Sequence, residues 1–227
     1  MKLRLGTFNL FQFVAPPFMY YTRKGKYSQR QWLEKTTGIK AQIKQMNCDI
    51  IGFQEVFSKE ALEVLVKELG FKYFATVEDA KLSRTTPNKY MSTTVAIASK
   101  YPITQLKSVD THPPSLEKHH FQDAFAFSRL PIKATLALRN DQEVVVYVCH
   151  LKSNRLNEFE YVFNKGHTLT HKKERVSRIL QGKSAKALKQ RLCEASSLFY
   201  DIQASQETPT VLMCDLNDKE FSLTINA

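Results

Sequence analysis

The chain has 227 residues, 43% hydrophobic and 11% aromatic, and 33 Lys and Arg against 22 Asp and Glu leave a formal net charge of +11. That composition supports a substantial core and excludes a disordered chain, and no apolar run approaches the roughly 20 residues that span a bilayer. The basic excess favours polyanionic partners over basic or neutral ones.

In chain order, Leu3 to Asn9 alternate apolar and polar residues as a half-buried strand does, and Asn9 falls at the strand's end. A loop punctuated by Pro16, Pro17 and Gly25 follows, and Ser28 or Gln29 opens a helix through Met46. Residues 49–56 read as a short buried strand ending in Gln54-Glu55-Val56, and Lys59 to Leu69 as a second helix stopped by Gly70. Strands are expected over 71–77 and 92–99, then a strand pair over 121–130 and 132–139 broken by Pro131. The strongest strand signal is Glu143 to Leu151; a basic, apolar-poor stretch over 152–175 leads to a helix over 183–204 and a last strand after Pro209. Helices alternate with strands early and strands follow one another later, so the expectation is one domain with a mixed sheet packed between helical layers.

Eleven Lys and Arg against three Glu between Lys152 and Arg191 leave that stretch at +8. The four cysteines, Cys48, Cys149, Cys193 and Cys214, are widely spaced, form no C-x-x-C, and are expected to be reduced structural thiols. Arg4, Asn9 and Gln12 interrupt any signal-peptide core at the N-terminus, and the expected location is cytoplasmic.

Four strand-like runs end in polar groups: Asn9, Glu55, His150, and Asp215 with Asn217. Strand ends are where a rigid scaffold can aim side chains into a shared cleft. Taken singly, each has an ordinary explanation: a surface Glu, a hydrogen-bonded core His, an Asx turn. Their joint occurrence points to chemistry.

In these residues the chain resembles the endonuclease/exonuclease/phosphatase superfamily, whose members share a deoxyribonuclease-I-like fold. Its pattern of a strand-ending Asn, a Q-E pair, an H-L motif and a G-D-F-N motif appears here, in order, as Thr7-Phe8-Asn9, Gln54-Glu55, His150-Leu151 and Cys214-Asp215-Leu216-Asn217. The resemblance implies an α/β fold, a mixed and antiparallel two-sheet sandwich flanked by helices, with its last strands missing. It further implies a metal-dependent phosphoesterase using Mg²⁺, or Mn²⁺ in its place, with Asn9 and Glu55 at the metal and His150, Asp215 and Asn217 at the phosphate and the attacking water. Tyr90, Arg129 and Lys152 are further candidates for phosphate or substrate contact. Cys214 stands where the family has Gly, a change expected to alter only local packing. The family's closing Asp-His pair has no counterpart in DKEFSLTINA after Asn217. The expectation is therefore a single domain over residues 1–227, truncated at the C-terminus and poorly active as it stands. The expected substrate is a phosphorylated polyanion, nucleic acid ahead of phosphoinositide or nucleotide. The competing reading is a non-catalytic nucleic-acid or anion-binding module on the same fold.

Overall fold

A computed structural model describes residues 2–22, 25–119, 121, 124–153, 166–181, 186–205 and 207–217. The chain divides into two compact units: the first combines Met1–Val109, Arg129–His150 and Ser205–Asp215, and the second Asp110–Ser128, Leu151–Ala204 and Leu216–Ala227.

The first unit holds both large sheets. One runs in the order β1 (Leu5–Phe13), β3 (Ile50–Val56), β6 (Thr94–Ser99), β4 (Tyr73–Ala75). The other runs β10 (Thr210–Asp215), β9 (Glu143–His150), β8 (Ile132–Ala137), β7 (Ile103–Ser108). A small pair, β2 (Met19–Tyr20) with β5 (Lys89–Tyr90), completes the strands. Each large sheet is mixed, with one parallel pair at its β1 or β10 edge: β1 with β3, and β10 with β9. The remaining pairings in both are antiparallel.

The strand alternation decides which side chains meet. Ile50, Val95 and Ile97 from the first sheet share one buried cluster with Ile132, Ala134, Leu136, Val144, Val146, Val148 and Met213 from the second. On the other face of the first sheet, Ile51, Phe53, Ala96 and Ala98 pack with Ile39 and Ile43 of α1 (Gln29–Met46) and Leu62, Leu65 and Val66 of α2 (Lys59–Glu68). β3 is thus covered on both faces, which is why it reads as a continuous apolar run. Each such Val, Leu or Ile contributes roughly 1.5–3 kcal/mol by leaving water.

Helix α1 begins where the sequence places it. Ser28 accepts from the Gln31 amide, and the Gln31 side chain accepts from the Ser28 amide, a complete capping box. Gly38 faces open space on the exposed side of this helix and costs it no packing.

The second unit contains α3 (Pro113–Lys118), α4 (Leu169–Gln181) and α5 (Lys186–Gln203). No helix among the described residues is long and apolar enough to cross a membrane.

Three expectations are corrected. Residues 124–130 form no strand: Phe121, Phe125 and Phe127 place their rings against one another at centroid spacings of 5.4 Å, and β8 takes β7 as its antiparallel partner instead. The exposed edge strand β7 escaped notice because Thr104, Gln105 and Lys107 break its apolar alternation. Within the basic stretch, α4 forms despite few apolar residues, its first turn capped by Thr168 Oγ1 accepting from the His171 amide at 3.2 Å. Finally, Cys149 and Cys214 are joined as a disulfide, with Cα atoms 4.8 Å apart, while Cys48 and Cys193 are free and buried. The parallel register of β9 and β10 sets these two cysteines directly opposite each other, a pairing that their 65-residue separation hides.

Gly52 marks how closely the sheets approach. A Cβ there would lie 2.9 Å from Met213 Cβ and 3.0 Å from both Val148 methyls. Gly52→Ala should therefore lower stability by about 1–3 kcal/mol, read as a reduced urea midpoint with an unchanged m-value. Equal midpoints would show that the sheets have room at this position.

Candidate functional site

The two parallel pairs explain how the four candidates converge: His150 and Asp215 close β9 and β10, Glu55 is the last but one residue of β3, and Asn9, expected to end its strand, lies within β1 where the ladder to β3 shifts. In a parallel pair both strands finish at the same end, so the residues that close them are neighbours. Asn9 stands opposite Gln54, one residue before Glu55, and Asp215 stands opposite His150. The Asn9 amide joins the sheets: its Nδ2 donates to Asp215 Oδ2 at 2.7 Å and to Glu55 Oε1 at 3.4 Å. His150 Nε2 lies 3.9 Å from Asp215 Oδ2. Asn9, Glu55, His150 and Asp215 are accordingly assembled within the first unit.

The backbone around Asn9 and Glu55 departs from regular strand geometry. The β1–β3 register shifts between Asn9 and Phe13, and Phe11, Gln12 and Glu55 hold φ of 48°, 62° and 59°. Each non-glycine residue in this left-handed region costs of order 1–3 kcal/mol and persists only where its surroundings impose it. Here the surroundings are the site itself. The Phe11 amide donates to Asn9 Oδ1 and the Gln12 amide to Glu55 Oε2, both at 2.8 Å. Lys35 Nζ, from α1, donates to the Leu10 and Phe11 carbonyls at 2.9 and 2.7 Å. Burial lowers the Lys35 pKa, against an opposing pull from the nearby Glu55 carboxylate. Gln54 is structural: it is 1% exposed and pairs with Thr7, its Nε2 donating to the hydroxyl at 3.0 Å.

His150 is buried, and its pKa falls to about 4, first because burial disfavours the imidazolium, then because the Arg129 cation repels it; Asp215 pulls weakly the other way. The imidazole is therefore neutral at pH 7. Arg129 Nε donates to the His150 carbonyl at 3.1 Å, so this candidate is beside the site. Tyr90 is 8% exposed and sits among Phe18 and Phe57, with ring centroids at 5.2 and 5.8 Å, its pKa raised mainly by burial. Most of the aromatic loop packs with it, but Phe11 is 68% exposed.

Asn217 and Lys152 belong to the second unit. Asn217 Nδ2 donates to the Leu151 carbonyl at 3.0 Å, and Lys152 presents an exposed side chain on a bonded backbone. Two buried residues of α5, Arg191 and Glu194, bond the backbone of these same loops; nothing in their spacing distinguished them from the basic face around them. Arg155, Lys165 and Lys183 of the basic stretch, and residues 218–227, lie outside the described residues.

The donor set suits a hard cation. Glu55 and Asp215 offer carboxylate oxygens on either side of the Asn9 amide, and no group of three or more His, Cys, Asp or Glu residues able to hold a metal occurs among the described residues. Carboxylate and amide oxygens are donors that suit a hard cation, unlike the thiolate and imidazole donors of a zinc site.

The model of the Endonuclease/Exonuclease/phosphatase family matches residues 6–225. The catalytic domain of human nocturnin, solved with a bound sulfate anion, aligns with a TM-score of 0.55 at 14% identity, over 86% of this chain and 61% of that one. An endonuclease/exonuclease/phosphatase protein from Beutenbergia cavernae aligns with a TM-score of 0.51 at 15% identity, over 98% of this chain and 50% of that one. The chain therefore spans between half and about three fifths of these two structures. No curated protein sequence matches it.

The depressed His150 pKa fixes the sign of a pH effect. The unfolded chain takes up a proton below pH 6.5, whereas the native state does so only near pH 4. Stability from this residue is thus full above 6.5 and falls as the pH drops through that window, by about 1 kcal/mol per unit. His150→Gln should lack this component, so its unfolding midpoint should gain on that of the unaltered chain between pH 6.5 and 4.5. Parallel pH profiles would contradict the assignment.

Proposed function

Because the chain belongs to the endonuclease/exonuclease/phosphatase family, we propose that it is a divalent-metal-dependent phosphoesterase acting on phosphorylated polyanions, with nucleic acid the preferred class over phosphoinositides or nucleotides. The observation that carries the reading is the Asn9 bridge between Glu55 and Asp215, which gathers two carboxylates and an amide at the ends of two parallel strand pairs.

In this proposal Glu55 holds Mg²⁺, or Mn²⁺ in its place, with Asn9 contributing beside it. The bound cation supplies charge neutralisation at the phosphoryl oxygens. Asp215 orients the attacking water and takes up its proton, while its bond from Asn9 Nδ2 fixes the direction in which the carboxylate faces. His150, neutral at pH 7, donates a hydrogen bond to a phosphoryl oxygen without needing to carry a charge through its buried setting. Arg129 holds the His150 carbonyl and adds positive potential. Asn217, Lys152 and Tyr90 are assigned to substrate by the motif or by sequence position alone.

Nucleic acid is preferred because Lys152 to Arg191 carries +8 of the net charge of +11, and repeated backbone phosphates release counterions on meeting such a basic stretch. The bound sulfate of the nocturnin domain, a tetrahedral oxyanion, supports an oxyanion substrate without specifying one. The Cys149–Cys214 bridge supports an oxidising compartment in place of the cytoplasmic location expected from the sequence.

The test is hydrolysis of bis(p-nitrophenyl) phosphate, single-stranded DNA and phosphoinositide vesicles by the full chain, with Mg²⁺ or Mn²⁺ and with EDTA. Turnover should require the metal, favour DNA, and fall about 10²-fold or more in Glu55→Gln and in Asp215→Asn. Metal-independent turnover would overturn the metal assignment, and no turnover alongside salt-sensitive DNA binding would replace the enzyme by the binding-module reading.

A further inference from the structure

Two charged side chains of α5 are buried and play no part in the chemistry above. Arg191 is 3% exposed and Glu194 1%, and they stand one helical turn apart. Burying an ionised side chain is costly unless its hydrogen-bonding capacity is taken up, so the identity of the partners indicates what such a residue is for. Here the partners include backbone groups in two particular loops. Arg191 Nη1 donates to the carbonyls of Lys152 at 2.6 Å, Leu216 at 3.2 Å and Asn217 at 3.2 Å. Glu194 Oε2 accepts from the Lys152 amide at 2.7 Å, and its Oε1 accepts from the Ser128 amide at 2.7 Å and from Gln190 Nε2 at 2.9 Å.

Both peptide groups of Lys152 are therefore held from one helix, and one guanidinium nitrogen ties them to Leu216 and Asn217. Asn217 closes the same link from its side, donating from Nδ2 to the Leu151 carbonyl at 3.0 Å. In the chain, Leu151 directly follows His150 and Leu216 directly follows Asp215. These are the first peptide groups beyond the point where the β9–β10 ladder stops, where nothing in the sheet itself any longer fixes the chain's direction.

We propose that Arg191 and Glu194 are positioning residues, holding the loop starts that follow His150 and Asp215 in the chain in one register and so setting how Lys152 and Asn217 are presented to a phosphoryl group. The proposal rests on the phosphoesterase reading. Displacement of a reacting group by about 1 Å can cost 10²-fold in rate, so the clamp governs turnover more than affinity. Arginine suits a buried clamp because its delocalised guanidinium is more weakly hydrated than a lysine ammonium and its terminal nitrogen reaches one bond further along the side chain.

Two mild variants test it in the full chain. Arg191→Lys keeps the charge and draws the donor nitrogen back by one bond; Glu194→Gln keeps the shape and turns one accepting atom into a donor. With bis(p-nitrophenyl) phosphate and Mn²⁺, kcat should fall about 30- to 100-fold in each, with KM within about threefold and cooperative unfolding retained well above the assay temperature. Folded variants with kcat within about threefold of the unaltered chain, or a loss carried by KM, would overturn the proposal. If the unaltered chain hydrolyses no phosphoester, the phosphoesterase reading fails, and amide hydrogen exchange decides the clamp. The Lys152 amide should then exchange slowly and be released at least about tenfold by Glu194→Gln, with β9 amides unchanged. Exchange at Lys152 in the unaltered chain as fast as at an unbonded amide overturns the clamp, and this measurement also decides if neither variant folds.

Discussion

A single amide, Asn9 Nδ2, links groups separated by 206 residues in sequence when it donates to Asp215 at 2.7 Å. Each end of that bond is supplied by a parallel strand pair lying at the edge of its sheet, β1 with β3 and β10 with β9. Had either pair been antiparallel, one of its two chemical residues would stand at the opposite end of the sheet. The arrangement in turn requires a thin interface between the sheets, met by Gly52 opposite Val148 and Met213, and a bulge at Phe11 and Gln12 that turns their amides toward the Asn9 and Glu55 oxygens. The left-handed backbone at Glu55 is the counterpart of this bulge on β3. Strain concentrated on these neighbouring residues is compensated by hydrogen bonds that orient the very groups proposed to do chemistry.

The second sheet presents a parallel case. Cys149 and Cys214 are joined one residue before His150 and Asp215, so a covalent link and a backbone ladder both end at the same register. Immediately beyond them, Arg191 and Glu194 take over the loop starts. The low pKa of His150 fits this setting, since a buried imidazole beside Arg129 works as a neutral hydrogen-bond donor over most of the physiological range.

Much of this was legible in the sequence, and the boundary of what was not has physical causes. Apolar runs ending in Asn9, Glu55, His150 and Asp215 were visible because strand burial and strand-end polarity are local signals. The helix start at Ser28 or Gln29 was equally local, though its capping box was not singled out. Pairing direction was not legible, because a continuous apolar run such as β3 is compatible with either sense, and with it went the Cys149–Cys214 bridge. The edge strand β7 failed to register because an exposed edge need not alternate, and Phe121, Phe125 and Phe127 imitated a strand while packing ring against ring. Arg191 and Glu194 were invisible for a different reason: inside a basic helix, only the tertiary partners distinguish a buried clamp from a solvated face.

The central claim is that Glu55, with Asn9 beside it, holds a divalent cation at the meeting point of the two sheets. Crystals grown with Mn²⁺ and measured at the manganese absorption edge test it directly. The account predicts an anomalous peak within about 2.5 Å of a Glu55 carboxylate oxygen, lost in Glu55→Gln crystals. A manganese ion bound elsewhere, with no peak at Glu55, would contradict it.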